Sequence, residues 1–267
     1  MKKYELLKDD TIEVAGKTLF RIKALISFKD IRKGEIGGYV EAERNLSQSD
    51  NAWVTGNARV SGNAWVCDDA CVSDNAWVTG NAWVCDDACV CDDACVTGNA
   101  RVSDNAWVTG NAWVCDDACV CDDACVTGNA RVSGNACVSG NACVTGNARV
   151  SGNARVTGNA RVSGNAWVTG NACVTDNAWV SGNACVTGNA RVSGNAWVET
   201  SNDYIVFKNN WSSFRWFTYT KSNKMWRVGC FYGTGDELIK KAYADSEESG
   251  RKYELYVNLV KELYRDE

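Results

Sequence analysis

From Asn51 to Thr200 the chain repeats one six-residue frame, [Asn/Asp]-Ala-x-Val-[Ser/Thr/Cys]-[Gly/Asp], twenty-five times without an insertion. It opens with Asn51-Ala52-Trp53-Val54-Thr55-Gly56, and its last unit, Asn195-Ala196-Trp197-Val198, ends on Glu199-Thr200. Within each unit Ala-x-Val-[Ser/Thr/Cys] alternates with period two, the signature of a strand that hides one face. Ala and Val are expected inside; x and the hydroxyl or thiol position are expected outside. The intervening [Gly/Asp]-[Asn/Asp] pair is turn chemistry, because these residues tolerate the left-handed backbone of a tight corner. A unit this short buries nothing alone, so successive units must coil and stack.

The flanks break the register. In residues 1–50, Thr11-Ile12-Glu13-Val14 and Thr18-Leu19-Phe20-Arg21-Ile22 read as strands around Ala15-Gly16-Lys17. Residues 201–267 read as a small α+β module. Tyr204–Lys208, Phe214–Thr220 and Met225–Phe231 alternate as strands. Thr234-Gly235-Asp236-Glu237 has the spacing of a capping box and opens a helix to about Ala244. Tyr253, Tyr256, Val257, Val260 and Leu263 line one side of a second helix. The chain thus divides into a cap (1–50), a solenoid (51–200) and a terminal module (201–267).

Read from its valine, each unit is Val-[Ser/Thr/Cys]-[Gly/Asp]-[Asn/Asp]-Ala-x, which resembles the hexapeptide signature of left-handed parallel β-helices. That resemblance implies a mainly β fold with 18 residues per triangular coil, hence about eight coils for these units, stacked at ~4.8 Å. A pentapeptide solenoid is excluded by the constant period of six. The entry, with Gly37-Gly38-Tyr39-Val40 and Asn45-Leu46-Ser47-Gln48, resembles that of uncharacterised bacterial hexapeptide-repeat proteins carrying a transferase label. The aromatic strands leading into Gly229-Cys230-Phe231-Tyr232-Gly233-Thr234 are similar to C-terminal segments of phage and prophage hexapeptide-repeat proteins. The left-handed β-helix also hosts acyltransferases, which commonly use a histidine base, and carbonic anhydrases that bind zinc through three histidines.

This chain has no histidine at all. The usual proton acceptor near neutral pH and the usual zinc ligand of such enzymes are absent, which argues against catalysis. The net charge of −5 argues against general affinity for nucleic acid or anionic membranes. No apolar run approaches a membrane span, and the opening Met1-Lys2-Lys3-Tyr4-Glu5-Leu6 lacks a signal-peptide core, so a cytoplasmic location is expected. Fourteen of the fifteen cysteines follow the repeat register, and reduced thiols are expected.

The variable positions carry the candidate chemistry. Val78–Ser103 recurs verbatim as Val108–Ser133, a shift of 30 residues, so the two copies fall on different faces of an 18-residue coil. The x residue is only Trp, Cys or Arg, whose codons differ by single bases. Drift in a repetitive gene accounts for such a pattern. The 18-residue step stacks Cys67 under Cys85 and Cys71 under Cys89, a thiol cluster that suits a soft ion such as Zn²⁺, although a flat surface is poor for tetrahedral geometry. Asp50, Asp68, Asp86, Asp104 and Asp122 share one corner and form an acidic ridge, open to a hard cation such as Ca²⁺ or simply solvated. Arg131, Arg149, Arg155 and Arg161 form a basic belt suited to phosphates or an acidic partner. Nine tryptophans point outward, with Trp65 under Trp83 and Trp179 under Trp197 as stacked patches.

These features favour a non-catalytic solenoid that scaffolds, by associating with itself or another protein, with no cofactor required. Two alternatives stay open: a mobile-element effector gripping an anionic planar ligand such as a nucleotide, and an acyltransferase relative working through carboxylates. Antifreeze activity is disfavoured, because bulky Trp, Arg or Cys across each valine spoils a flat hydroxyl array.

Overall fold

The computed structural model describes residues 2–265. Three strands open the chain, β1 (Tyr4–Val14), β2 (Lys17–Ala24) and β3 (Ile36–Val40). Each hexad then supplies one two-residue strand formed by its x residue and valine, β4 (Trp53–Val54) through β28 (Trp197–Val198). Every third strand is hydrogen-bonded in parallel, so the units fall into three sheets, and residues 18 apart are in register. The result is a parallel β-solenoid of about 9 turns once the stretch from β3 to the bridge of Leu46 with Val66 is included. Its three faces are named by their first strands: the first face begins at Trp53, the second at Arg59 and the third at Trp65.

The interior is as the alternation predicts. Every repeat valine is fully buried and every repeat alanine is at most 1% exposed. Alanine lets the coil close on a thin core; valine fills what remains and suits the extended backbone. Residues just after each corner stack as well. Asn side chains donate Nδ2 to Oδ1 of the residue 18 further on, as in Asn129 to Asn147 and Asn147 to Asn165, both 3.1 Å. Aspartate ends such a run as acceptor, for instance Asp117 above the amide of Asn99 at 2.9 Å.

Most ladder bonds point one way, the valine N–H of each parallel bridge alone pointing back. The N–H of each coil donates to the carbonyl of the next, as in Trp53 N to Ala70 O at 3.0 Å and Thr55 N to Val72 O at 2.9 Å. The N-terminal end of the solenoid therefore presents mainly carbonyls and the C-terminal end mainly N–H groups, and each must be satisfied differently. The cap supplies donors. Lys3, 1% exposed, sends its ammonium to Ala52 O at 2.8 Å and Asp50 O at 2.9 Å, while Asn45 Nδ2 reaches Ala64 O at 2.9 Å. β3 lies directly on β5 (Arg59–Val60), extending the second face. The close approach explains Gly37-Gly38: a Cβ on Gly37 would lie 2.5 Å from Val54 O, and one on Gly38 2.7 Å from Ala58 O.

The C-terminal segment supplies acceptors. Hydroxyls of Thr218, Ser222, Ser201 and Tyr204 take the N–H groups of Arg191, Trp197, Cys185 and Thr187. This segment is a four-stranded antiparallel sheet, β29 (Tyr204–Lys208), β30 (Trp216–Thr220), β31 (Met225–Val228) and β32 (Phe231–Gly233), covered by α1 (Gly235–Asp245) and α2 (Glu247–Leu263). The Thr234–Glu237 capping box forms as expected. Three expectations need correction. The second predicted strand starts at Trp216 rather than Phe214, because Phe214 adopts a left-handed backbone (φ 54°). The third is split by a turn at Gly229 (φ 60°). Leu263, expected on the buried side of the second helix, is 58% exposed, since the helix turns Tyr253, Val257 and Val260 inward instead.

Candidate functional site

The corner that precedes the first face is the most strongly patterned part of the surface. Asp68, Asp86, Asp104 and Asp122 all sit there in the left-handed region, with φ between 58° and 60°. Each carboxylate accepts the backbone N–H of the corner one coil on: Asp104 Oδ2 from Asp122 N at 3.3 Å, Asp122 Oδ2 from Gly140 N at 2.9 Å. Asp176 does the same further along this column, and Asp92 and Asp116 do so at the other two corners. A corner aspartate thus has a structural task that glycine cannot perform, which offsets both its backbone strain and the repulsion of stacked charges. Asp50, at the foot of the ridge, differs. Burial pushes its carboxyl up, yet hydrogen bonds from Ser47 and the amides of Asp68 and Ala52, with the charge of Lys3, hold it below its ordinary value.

Thiols join this ridge from one side. Cys67 Sγ donates to Asp68 Oδ2 at 3.0 Å, Cys85 Sγ to Asp86 Oδ2 at 3.4 Å, and the ligand atoms of Cys67, Asp68 and Cys85 lie within 4.8 Å of one another. Asp74, Cys91 and Asp92 converge equally closely, as do Asp104, Cys121 and Asp122. Burial and the adjacent carboxylate push the Cys67 thiol up, and the same causes take Cys85 to about 11. Cys71 and Cys89 pair with each other across β7 (Cys71–Val72) and β10 (Cys89–Val90) on the first face. The predicted four-thiol square is therefore resolved into a thiol–carboxylate group on one side of the corner and a thiol pair on the other.

Further thiol pairs stack Cys119 with Cys137 on the third face and Cys125 with Cys143 on the first. In each, the upper thiol is pulled down to about 6: Cys137 by a hydrogen bond from Cys119 and by Arg155, Cys143 by a hydrogen bond from Cys125 and by Arg161, burial opposing both. Cys89 and Cys119, equivalent residues of the 30-residue duplication, do lie on different faces.

The four basic-belt arginines are distributed around the coil. Arg131 and Arg149 are neighbours on the second face, Arg155 lies on the third and Arg161 on the first. On the second face the column runs Trp113, Arg131, Arg149, Trp167 over four consecutive coils. Arg131 lies over the Trp113 ring at 4.8 Å and Arg149 over the Trp167 ring at 5.1 Å.

Trp179 and Trp197 stack on the first face with centroids 5.6 Å apart and planes 13° from parallel. Their indole N–H groups donate to Ser163 and Ser181 Oγ, each at 3.0 Å, leaving only ring hydrocarbon to solvent. The rings are 42% and 50% exposed. Trp65 and Trp83 are in register, and Arg101 lies over the Trp83 ring at 5.3 Å. Trp53 is a correction to the outward set: it leaves the coil outward, yet Tyr4 and Phe28 of the cap cover it to 3% exposure. An apolar strip on α2 was not foreseen. Leu255 and Leu259 beside Trp211 and Tyr256 border a groove of about 380 Å³. Their i, i+4 spacing carries that signal in the sequence.

These features define a β-solenoid repeat protein. A family model described as the YdcK β-solenoid repeat matches residues 100–116, 148–164 and 154–170, so the chain is similar to that family within the solenoid. No curated protein matches the chain. Among the described residues no helix is long and apolar enough to cross a membrane.

Proposed function

We propose that this protein is a non-catalytic solenoid scaffold that associates with a second copy of itself through the first face near its C-terminal end. The observation that supports this best is the Trp179–Trp197 plate. Both indoles are fixed by serine hydroxyls and by each other, so their ordering cost is met before any partner arrives. Stacked rings held this way are the kind of rigid aromatic anchor that dominates protein interfaces. A two-fold axis would lay plate against plate, the self-complementary arrangement of most homodimers. The missing histidine and uninterrupted register also suit a surface that binds rather than a pocket that reacts.

Sedimentation velocity over a wide concentration range tests the reading. The native chain should show concentration-dependent dimerisation. Trp179→Ser with Trp197→Ser should weaken it by at least about tenfold, the loss of a modest hot spot. A native chain that stays monomeric at the highest concentration, or a variant that dimerises equally well, would remove the proposal.

A further inference from the structure

Charge along the solenoid is strongly divided. Residues 51–123 carry twelve aspartates and two arginines, whereas residues 124–175 carry four arginines and not one Asp or Glu. In a chain of net charge −5, nearly three coils are thus basic without a carboxylate of their own. Arg131 and Arg149 occupy successive rungs at the centre of this zone, in register on the second face and exposed. Neither forms an ion pair among the described residues.

The geometry points to this arginine pair as a binding site for a diphosphoryl group. Two guanidiniums on rungs ~4.8 Å apart repel, and the fold offers each a neighbour on its outer side. Arg131 is held over Trp113 and Arg149 over Trp167, so the two cations are drawn toward opposite ends of the four-rung column. Neither guanidinium makes a side-chain hydrogen bond among the described residues, so their donors are free to meet a ligand. Ser133 and Ser151, two residues beyond each arginine on the same strand face, add hydroxyl donors on the same rungs. Guanidinium forks match phosphoryl oxygens, and the corner carboxylate at the Trp113 end of the column, Asp116, is already engaged by the Gly134 amide at 3.0 Å. Beyond the indoles the column continues with the smaller Cys95 and Cys185, which leaves the outer ring faces of Trp113 and Trp167 available to a planar group. The shared chemistry is therefore two linked phosphoryl groups, either free as pyrophosphate or carried by a nucleoside diphosphate whose base reaches an indole. This site lies on a different face from the Trp179–Trp197 plate and stands or falls separately from self-association.

Isothermal titration of the full chain with inorganic pyrophosphate and, in a parallel arm, with ADP tests it, with tryptophan fluorescence followed in both. Saturable binding is expected, reduced at least about tenfold in Arg131→Gln/Arg149→Gln and changed less than about twofold in Arg155→Gln on another face. Tighter binding of ADP with quenching would assign the base to an indole; equal affinity would assign the site to the phosphoryl groups alone. The double variant should keep the native melting temperature, because both side chains are exposed. Undiminished binding in it, or a native titration reproduced by sodium chloride at matched ionic strength, would overturn the proposal.

Discussion

At the scale of single residues, environment divides fifteen cysteines that composition cannot tell apart. Cys67 and Cys85 hydrogen-bond to a carboxylate, and burial plus that charge keeps their protons on. Cys137 and Cys143 accept a hydrogen bond from the thiol below and lie beneath an arginine, which brings them to about 6. A thiol so lowered is mostly thiolate above that pH, and the thiolate is the nucleophile. Brief alkylation near neutral pH should therefore label Cys137 and Cys143 well before Cys67 and Cys85, as read by peptide mass mapping. Lowering the pH below about 6 should erase the preference, since the reactive pair then gains its protons. Labelling that follows exposure alone would contradict the assignment. None of this was legible in the sequence: the stacking was, but the direction of each thiol's shift depends on which neighbour donates.

At the scale of the element, the hexad was almost fully legible, because a strict period in Ala and Val admits one way to bury both. Its corner was read only in part. Turn chemistry accounts for Gly, Asn and Asp alike. The bond from the corner carboxylate to the amide one coil on requires the coil diameter and rise, which no local pattern contains. The terminal module was legible in its elements and in most of the inner face of its second helix, while Leu263 was misplaced because leucines occur on both faces, Leu238 buried and Leu255 and Leu259 exposed. The corner bond makes a separable prediction. Asp122→Ala keeps an unfavourable left-handed residue and loses the 2.9 Å bond to Gly140 N, and should cost about 1–2 kcal/mol by chemical denaturation. Asp122→Gly loses the same bond but releases the strain, and should cost clearly less. Equal losses would mean that only one of the two effects operates.

At the scale of the whole molecule, the candidate sites were legible as columns, and the faces needed only the 18-residue step. What the sequence hid was the matching of each cap to the polarity of the coil end it closes. Buried Lys3 is the clearest case. Its ammonium satisfies two backbone carbonyls and faces Asp50 at 3.4 Å, while burial lowers its own pKa. Lys3→Met would preserve the stem and strand both carbonyls and the carboxylate, at a cost of about 2–3 kcal/mol. The acid limb should change too. Asp50 is held below its ordinary value in the fold, so its contribution is present above the unfolded carboxylate range, about pH 4, and is lost as pH falls through the lower folded value. The native cap should therefore loosen in acid, seen as early hydrogen exchange in β1, and Asp50→Asn should flatten that dependence. An unaltered acid profile in Asp50→Asn would place the effect elsewhere.

The unbroken three-hexad coil has one more consequence, for the geometry between the two ends. Each hexad gained or lost turns the terminal module through a third of a revolution about the axis, relative to the N-terminal cap, while shifting it by only a fraction of a rung. The number of repeats therefore sets an angle far more than a length. A slip of 18 residues would restore the original bearing one storey higher; the 30-residue duplication instead advanced it by two-thirds of a revolution. A gene prone to such slippage works like a dial, re-aiming one end of the molecule against the other without altering a single contact inside the coil.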